Sequence, residues 1–238
     1  MKIIVLNNTK YKENDVIYNA ITENGYVSFK APGALSGKSQ VMWLNNPLTI
    51  ADAEFSDRRY KYPTLKEAKL ISSPINGKES LEELTILSVI IEIANKLLPD
   101  DDKHLLFKEI EEGLSALKTA PDKLLALLIF LARAIKIAGA SPEVDSCVFC
   151  GSTHKIAAFS FRDGGFICED CLDPTLDLPS FTGSQKLLIR YIFKAPNYSC
   201  VGSERYSKED KIEILKHLQD CIDCDLGVFI HSINQLYK

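Results

Sequence analysis

Cys147-Val148-Phe149-Cys150 and Cys168-Glu169-Asp170-Cys171 are two C-x-x-C pairs with seventeen residues between them. A tight turn inside each pair points both sulfurs one way, and the intervening stretch is long enough for a hairpin that returns the second pair to the first. Ala157, Phe159 and Phe161 alternate with smaller or polar neighbours, and Asp163-Gly164-Gly165 supplies residues that tolerate positive φ. Phe166-Ile167 then leads back into Cys168. The stretch reads as a zinc-ribbon-like knuckle at 147–171, with Cys147, Cys150, Cys168 and Cys171 as ligands of one structural zinc ion. Four sulfurs fill the tetrahedron and leave no position for a reactive water. The spacing also admits an iron–sulfur cluster, a disulfide pair, or thiols that are simply small buried apolar groups.

Outward from the knuckle, the 238 residues suffice for one large or two modest domains. Met1-Lys2-Ile3-Ile4-Val5-Leu6-Asn7 is apolar but too short for a signal peptide or a membrane span. The most apolar stretch, 124–138, is broken by Arg133 and Lys136 and reads as a buried helix. Seven cysteines without a secretory segment fit a reducing, cytoplasmic setting. Charge is uneven: residues 1–76 carry ten Lys/Arg against seven Asp/Glu, whereas 77–238 carry eighteen against twenty-five. The sign changes at Ser72-Ser73-Pro74-Ile75-Asn76-Gly77, which is turn and linker chemistry. The expected domains are therefore 1–76 and 77–238.

Residues 1–76 read as about six short strands: 3–6, 16–21, 26–30, 41–44, 48–55 and 66–71. Closing such strands into a barrel removes exposed edges, so an OB-fold-like antiparallel barrel is expected. A surface that holds nucleic acid combines positive charge with aromatic faces. The candidates are Lys30 and Lys38 around the Gly-rich loop, and Arg58, Arg59 and Lys61 interleaved with Tyr60 and Tyr62. A solvated turn is the other reading of that cluster.

After residue 77 the period becomes helical. Ser80 and Glu83 form a capping-box signature ahead of a helix that Pro99 stops. A second helix is expected over 103–117. A third starts at Pro121 and ends at Gly139, apolar around nearly its whole circumference and hence central. Further helices are expected over 184–194, from a Ser207 cap to about 224, and over 225–236. The fold class is thus α+β, an N-terminal OB-fold-like barrel followed by an α-helical domain carrying a four-cysteine zinc knuckle. Cys200 has no neighbour in sequence, and Cys221 and Cys224 lack a matching pair. None of the four histidines stands beside a nucleophile or a carboxylate pair, and no phosphate loop or dinucleotide fingerprint is present. No enzyme is expected.

The order of parts carries a resemblance. Tyr11-Lys12-Glu13-Asn14-Asp15-Val16-Ile17, Thr22-Glu23-Asn24-Gly25, the leucine-rich helices, Cys147-Val148-Phe149-Cys150-Gly151, Phe159-Ser160, Gly164-Gly165-Phe166-Ile167-Cys168 and the closing Ile230-His231-Ser232-Ile233 resemble the RecO family of bacterial recombination mediators. The resemblance implies a non-enzymatic protein of the bacterial cytoplasm and nucleoid that binds single- and double-stranded DNA and anneals complementary strands. It also implies work with RecR to load RecA onto DNA coated by single-stranded-DNA-binding protein, whose acidic tail the helical domain would take. Lys186, Arg190 and Lys194, at i, i+4 and i+8 of one helix, form a basic stripe suited to such a tail, with an ordinary solvated face as the other reading. One departure stands out. The family's barrel usually carries Lys-Gly followed by arginines, where this chain has Lys30-Ala31-Pro32-Gly33-Ala34-Leu35-Ser36-Gly37-Lys38. A zinc-stabilised protein-binding adaptor without direct DNA contact is therefore the alternative.

Overall fold

The computed structural model describes residues 1–56, 62–175, 178–198 and 205–237. By their internal packing they form two compact units, 1–114 and 115–238, and each is described by itself. The Ser72–Gly77 stretch lies within the first unit, where strands give way to helix.

The first unit is built on β1 (Lys2–Lys10), β2 (Val16–Thr22), β3 (Gly25–Ala31), β4 (Ile50–Phe55) and β5 (Leu65–Ser72). The four ladders between neighbouring strands are antiparallel, in the order β3-β2-β1-β4-β5. β1 is central, and Ile3, Ile4, Val5 and Leu6 are all buried, so the strand is covered on both faces. One face joins Ile3 and Val5 to Val16, Tyr18, Phe29 and Leu44 in a core. Helix α1 (Leu81–Lys96) also packs on β1. The capping box at its start is present: the Ser80 hydroxyl accepts from the Glu83 N–H and the Glu83 carboxylate from the Ser80 N–H.

The expected closed barrel is an open sheet. Its edge strands β3 and β5 approach each other, but among the described residues the ladder between them reduces to one bridge, Lys30 with Thr64. The Lys30 N–H donates to the Pro63 carbonyl at 2.9 Å. Proline limits any extension on both sides, because Pro32 follows the end of β3 and Pro63 precedes Thr64, and neither has an N–H to give. The expected strand at 41–44 is instead a 3₁₀ turn, Met42–Asn45, whose Leu44 fills the core and whose Asn45 accepts from the Tyr18 hydroxyl at 2.7 Å. Four apolar residues ahead of Asn45-Asn46-Pro47 are too few for periodicity to separate strand from turn. The helix expected at 103–117 opens with a 3₁₀ turn, Lys103–Leu106, before α2 (Phe107–Thr119).

In the second unit α3 (Lys123–Ile137) has eleven buried residues and is central, as its sequence requires. Its cap is Asp122, whose carboxylate accepts from the Leu125 N–H at 2.9 Å; Pro121 stands outside the helix and not in its first turn. α4 (Gly183–Lys194) and α5 (Lys208–Asp220) pack on α3 and on each other. The same Asp122 pairs with the buried Lys211 of α5 at 2.5 Å. α5 ends earlier than expected, at Asp220, in a π-helical turn Cys221–Asp225, and the last element is a short 3₁₀ stretch, Ser232–Tyr237.

Candidate metal centre

Three short strands separate α3 from α4: β6 (Glu143–Cys147), β7 (Ile156–Ser160) and β8 (Gly165–Cys168). The hairpin expected from the sequence is β7–β8. The third strand was not legible: β6 runs parallel to β8 on its other side, pairing Cys147 with Phe166. Because β6 and β8 are neighbours, their C-terminal cysteines arrive together. In the first turn the Gly151 N–H donates to the Cys147 carbonyl and the Cys147 N–H to the Ser152 carbonyl, each at 2.8 Å. Gly151 has φ +72°, the left-handed geometry a C-x-x-C-G turn uses. In the second turn the Cys171 N–H donates to the Cys168 carbonyl at 3.2 Å.

The sulfurs of Cys147, Cys150, Cys168 and Cys171 consequently lie within 4.8 Å of one another, and all four are free thiols. Zn–S bonds of about 2.3 Å would set tetrahedral sulfurs about 3.8 Å apart; Cys150 and Cys168 are at 3.6 Å. Burial pushes Cys147 up, but N–H groups of Cys168, Cys150 and Phe149 outweigh it and hold this thiol at about 6. Hydrogen bonding with Cys150 and Cys168, followed by burial, pushes Cys171 up to about 12. Four sulfurs this close cannot all be anionic without a cation, so the donor set fits a thiophilic metal that replaces the shared protons. Among the described residues, these four are the group of Cys, His, Asp or Glu side chains gathered in this way, and His154 is not part of it. Cys221, buried in the π-helical turn, has its thiol pushed up to about 12 by burial, Cys224 is exposed, and Cys200 lies outside the described residues.

Gly165 is a further essential position. A Cβ there would stand 2.2 Å from the Glu143 carbonyl oxygen, so only glycine lets β6 lie against β8. Its place beside Gly164 hinted at a turn, but the close approach of β6 has no local signal.

The basic stripe does not stand free in water. Lys186 donates to the carbonyls of Ile156 and Ala157, at 2.8 and 3.4 Å. Arg190 and Lys194 converge on Asp145 of β6 at 2.9 and 2.5 Å, and their hydrogen bonds, Lys194 first, hold its carboxyl below the usual carboxylate range. Neither reading of the stripe foresaw Asp145, which is distant in sequence from α4. Of the nucleic-acid candidates, Lys30 pairs with Asp15 at 2.8 Å and lies 5.2 Å from the centre of the Tyr11 ring. Lys38 is exposed in the following turn. Arg58, Arg59 and Lys61 lie outside the described residues.

The fold and site together define a class: a β-sheet module followed by a helical module that carries four cysteines placed to hold a metal ion. Residues 1–74 match the family model for the Recombination protein O N terminal, and residues 78–232 that for the Recombination protein O C terminal. The chain belongs to the RecO family of DNA repair and recombination proteins. It is 27% identical over 222 residues to the DNA repair protein RecO of Bacillus pumilus, covering 91% of this chain and 86% of that one. It is 27% identical over 224 residues to that of a Thermoanaerobacter species, covering 92% and 86%. With that of Halalkalibacterium halodurans it shares 26% identity over 192 residues, covering 80% and 75%. Among the described residues no helix is long and apolar enough to cross a membrane.

Proposed function

We propose that this protein is a recombination mediator of the bacterial cytoplasm that binds single- and double-stranded DNA, anneals complementary strands and, with RecR, helps load RecA onto DNA coated by single-stranded-DNA-binding protein. The observation that carries this reading is the match of both family models, in order, over nearly the whole chain. The activity needs no covalent catalysis. Annealing requires a cationic surface that offsets phosphate repulsion between two strands, and we assign that role to residues 1–76 through Lys30, Lys38, Arg58, Arg59 and Lys61. Residues 77–238 take the protein partner, at Lys186, Arg190 and Lys194. One zinc ion held by Cys147, Cys150, Cys168 and Cys171 would fix the strands that face this helix; a closed four-thiolate set fits a cross-linking role.

The adaptor reading, without direct DNA contact, is favoured by one observation: Lys30 is already engaged by Asp15 and Tyr11, in a loop that lacks the family's usual arginines. Fluorescence anisotropy of a labelled single-stranded oligonucleotide, titrated with the protein at several salt concentrations, separates the two. A mediator binds with an affinity that falls steeply on a log–log salt plot, and charge removal at Arg58, Arg59 and Lys61 flattens that slope by about one unit per lost phosphate contact. No binding at low salt, with or without RecR, leaves the adaptor.

A further inference from the structure

Between β6, β7 and α4 lies a groove of about 790 Å³. Its apolar lining includes Val144, Ile156, Phe166 and Leu187, and Leu187 is 61% exposed although it is a large aliphatic side chain. Along one side run Arg190 and Lys194. Their charges meet at Asp145: its Oδ1 accepts from Arg190 Nε at 3.0 Å and Nη2 at 2.9 Å, and its Oδ2 accepts from Lys194 Nζ at 2.5 Å. Three N–H donors are thus arranged around one carboxylate beside an apolar surface. More than half of each cationic side chain is exposed, so the arrangement is open to solvent and to exchange.

We propose that Asp145 is a resident counter-ion of this groove, and that an acidic peptide binds by placing its own carboxylate on Arg190 and Lys194 while an apolar side chain settles against Leu187. This rests on the reading of the groove as the partner site and adds how it is regulated. Two features of the geometry carry it. The donors already hold a carboxylate in the orientation an incoming one would take, and exposed ion pairs are weak enough to be exchanged. The apolar lining favours a peptide over a nucleic-acid strand, whose next phosphate would bring a second charge where the groove offers Val144, Ile156 and Phe166. Asp145 lies two residues before Cys147 on the same strand, so the pairing of β6 with β8 that places the cysteines also places the counter-ion.

The test is anisotropy of a fluorescein-labelled synthetic peptide, a short run of glutamates followed by leucines, titrated with the full-length, metal-replete protein. Asp145→Asn is expected to tighten binding by about two- to fivefold, the size of a surface ion pair, and Asp145→Ala to act in the same direction. Arg190→Glu should abolish it. Equal zinc content and equal circular dichroism certify that the Asp145 variants are folded. Wild-type binding that the Asp145 variants leave unchanged or weaken overturns the counter-ion and spares the partner site. No peptide binding by wild type or Asp145→Asn overturns both. If Asp145→Asn tightens a single-stranded oligonucleotide and not the peptide, the groove belongs to nucleic acid and the proposal fails.

Discussion

The five-stranded sheet and the four-cysteine knuckle are both small β structures, yet different forces hold them. In the sheet, Tyr18 stacks on Phe29 at 5.5 Å and Phe29 meets Phe55 at 4.9 Å, over a floor of Ile3, Val5 and Val16. Burial of this kind is worth about 1.5–3 kcal/mol for each large side chain, so the sheet specifies itself. The knuckle has strands of five, five and four residues. Phe159 packs on Phe161, Phe166 and Phe181, which anchors one end of it. At the other end, the two C-x-x-C turns have little apolar surface to bury, and Phe149 between the first pair is 60% exposed. A structure too small to close a core at both ends needs a cross-link.

The substitution with the largest expected effect is Cys168→Ser. It removes a buried member of the four-cysteine cluster, so zinc binding is expected to be lost and protection from hydrogen exchange over 143–171 to disappear, with the unfolding midpoint of the second unit lower by roughly 10 °C. Unaltered exchange in that segment would mean that the aromatic end alone holds the knuckle. The mirror experiment is Phe29→Ala, which should cost the first unit about 3–5 kcal/mol in denaturant melts and leave the metal content untouched. Smaller again is Gly165→Ala, at about 1–3 kcal/mol, because the new methyl group meets the Glu143 backbone and pushes β6 from β8. Its effect belongs in the second unit; a shift confined to the first would break the contrast.

pH sharpens the same difference. Metal binding requires thiolates, and Cys150 and Cys171 are raised above the ordinary thiol value when protons fill the site. Bound metal lowers the thiols below their unfolded value, so its stabilisation is present at higher pH and is lost as pH falls through the metal-bound value. Acidification from about pH 8 to about pH 5 should release metal and loosen 143–171 before the sheet responds, as followed by a zinc-sensitive dye and exchange mass spectrometry.

What the sequence discloses follows the same division. The four cysteines are legible as one group because C-x-x-C repeats a short spacing, with Gly151 beside the first pair and Gly164-Gly165 turning the hairpin between the pairs. α1 and α3 are legible because the Ser80–Glu83 box and an all-round apolar run are local signals. The open sheet is not, because whether β3 meets β5 turns on one bridge at Lys30 and two flanking prolines rather than on any strand's own pattern. β6 escapes notice for a like reason: five residues, with only Val144 and Cys147 buried, give too short an alternation. Asp145 is invisible as a partner of Arg190 because forty-five positions separate them.

The metal itself separates the two regions most directly. Elemental analysis of the protein purified anaerobically, with a parallel count of thiols that react before and after denaturation, should give one zinc per chain and four thiols protected until the metal is removed. Protein without metal whose four thiols react at once, or a brown iron chromophore, would contradict it.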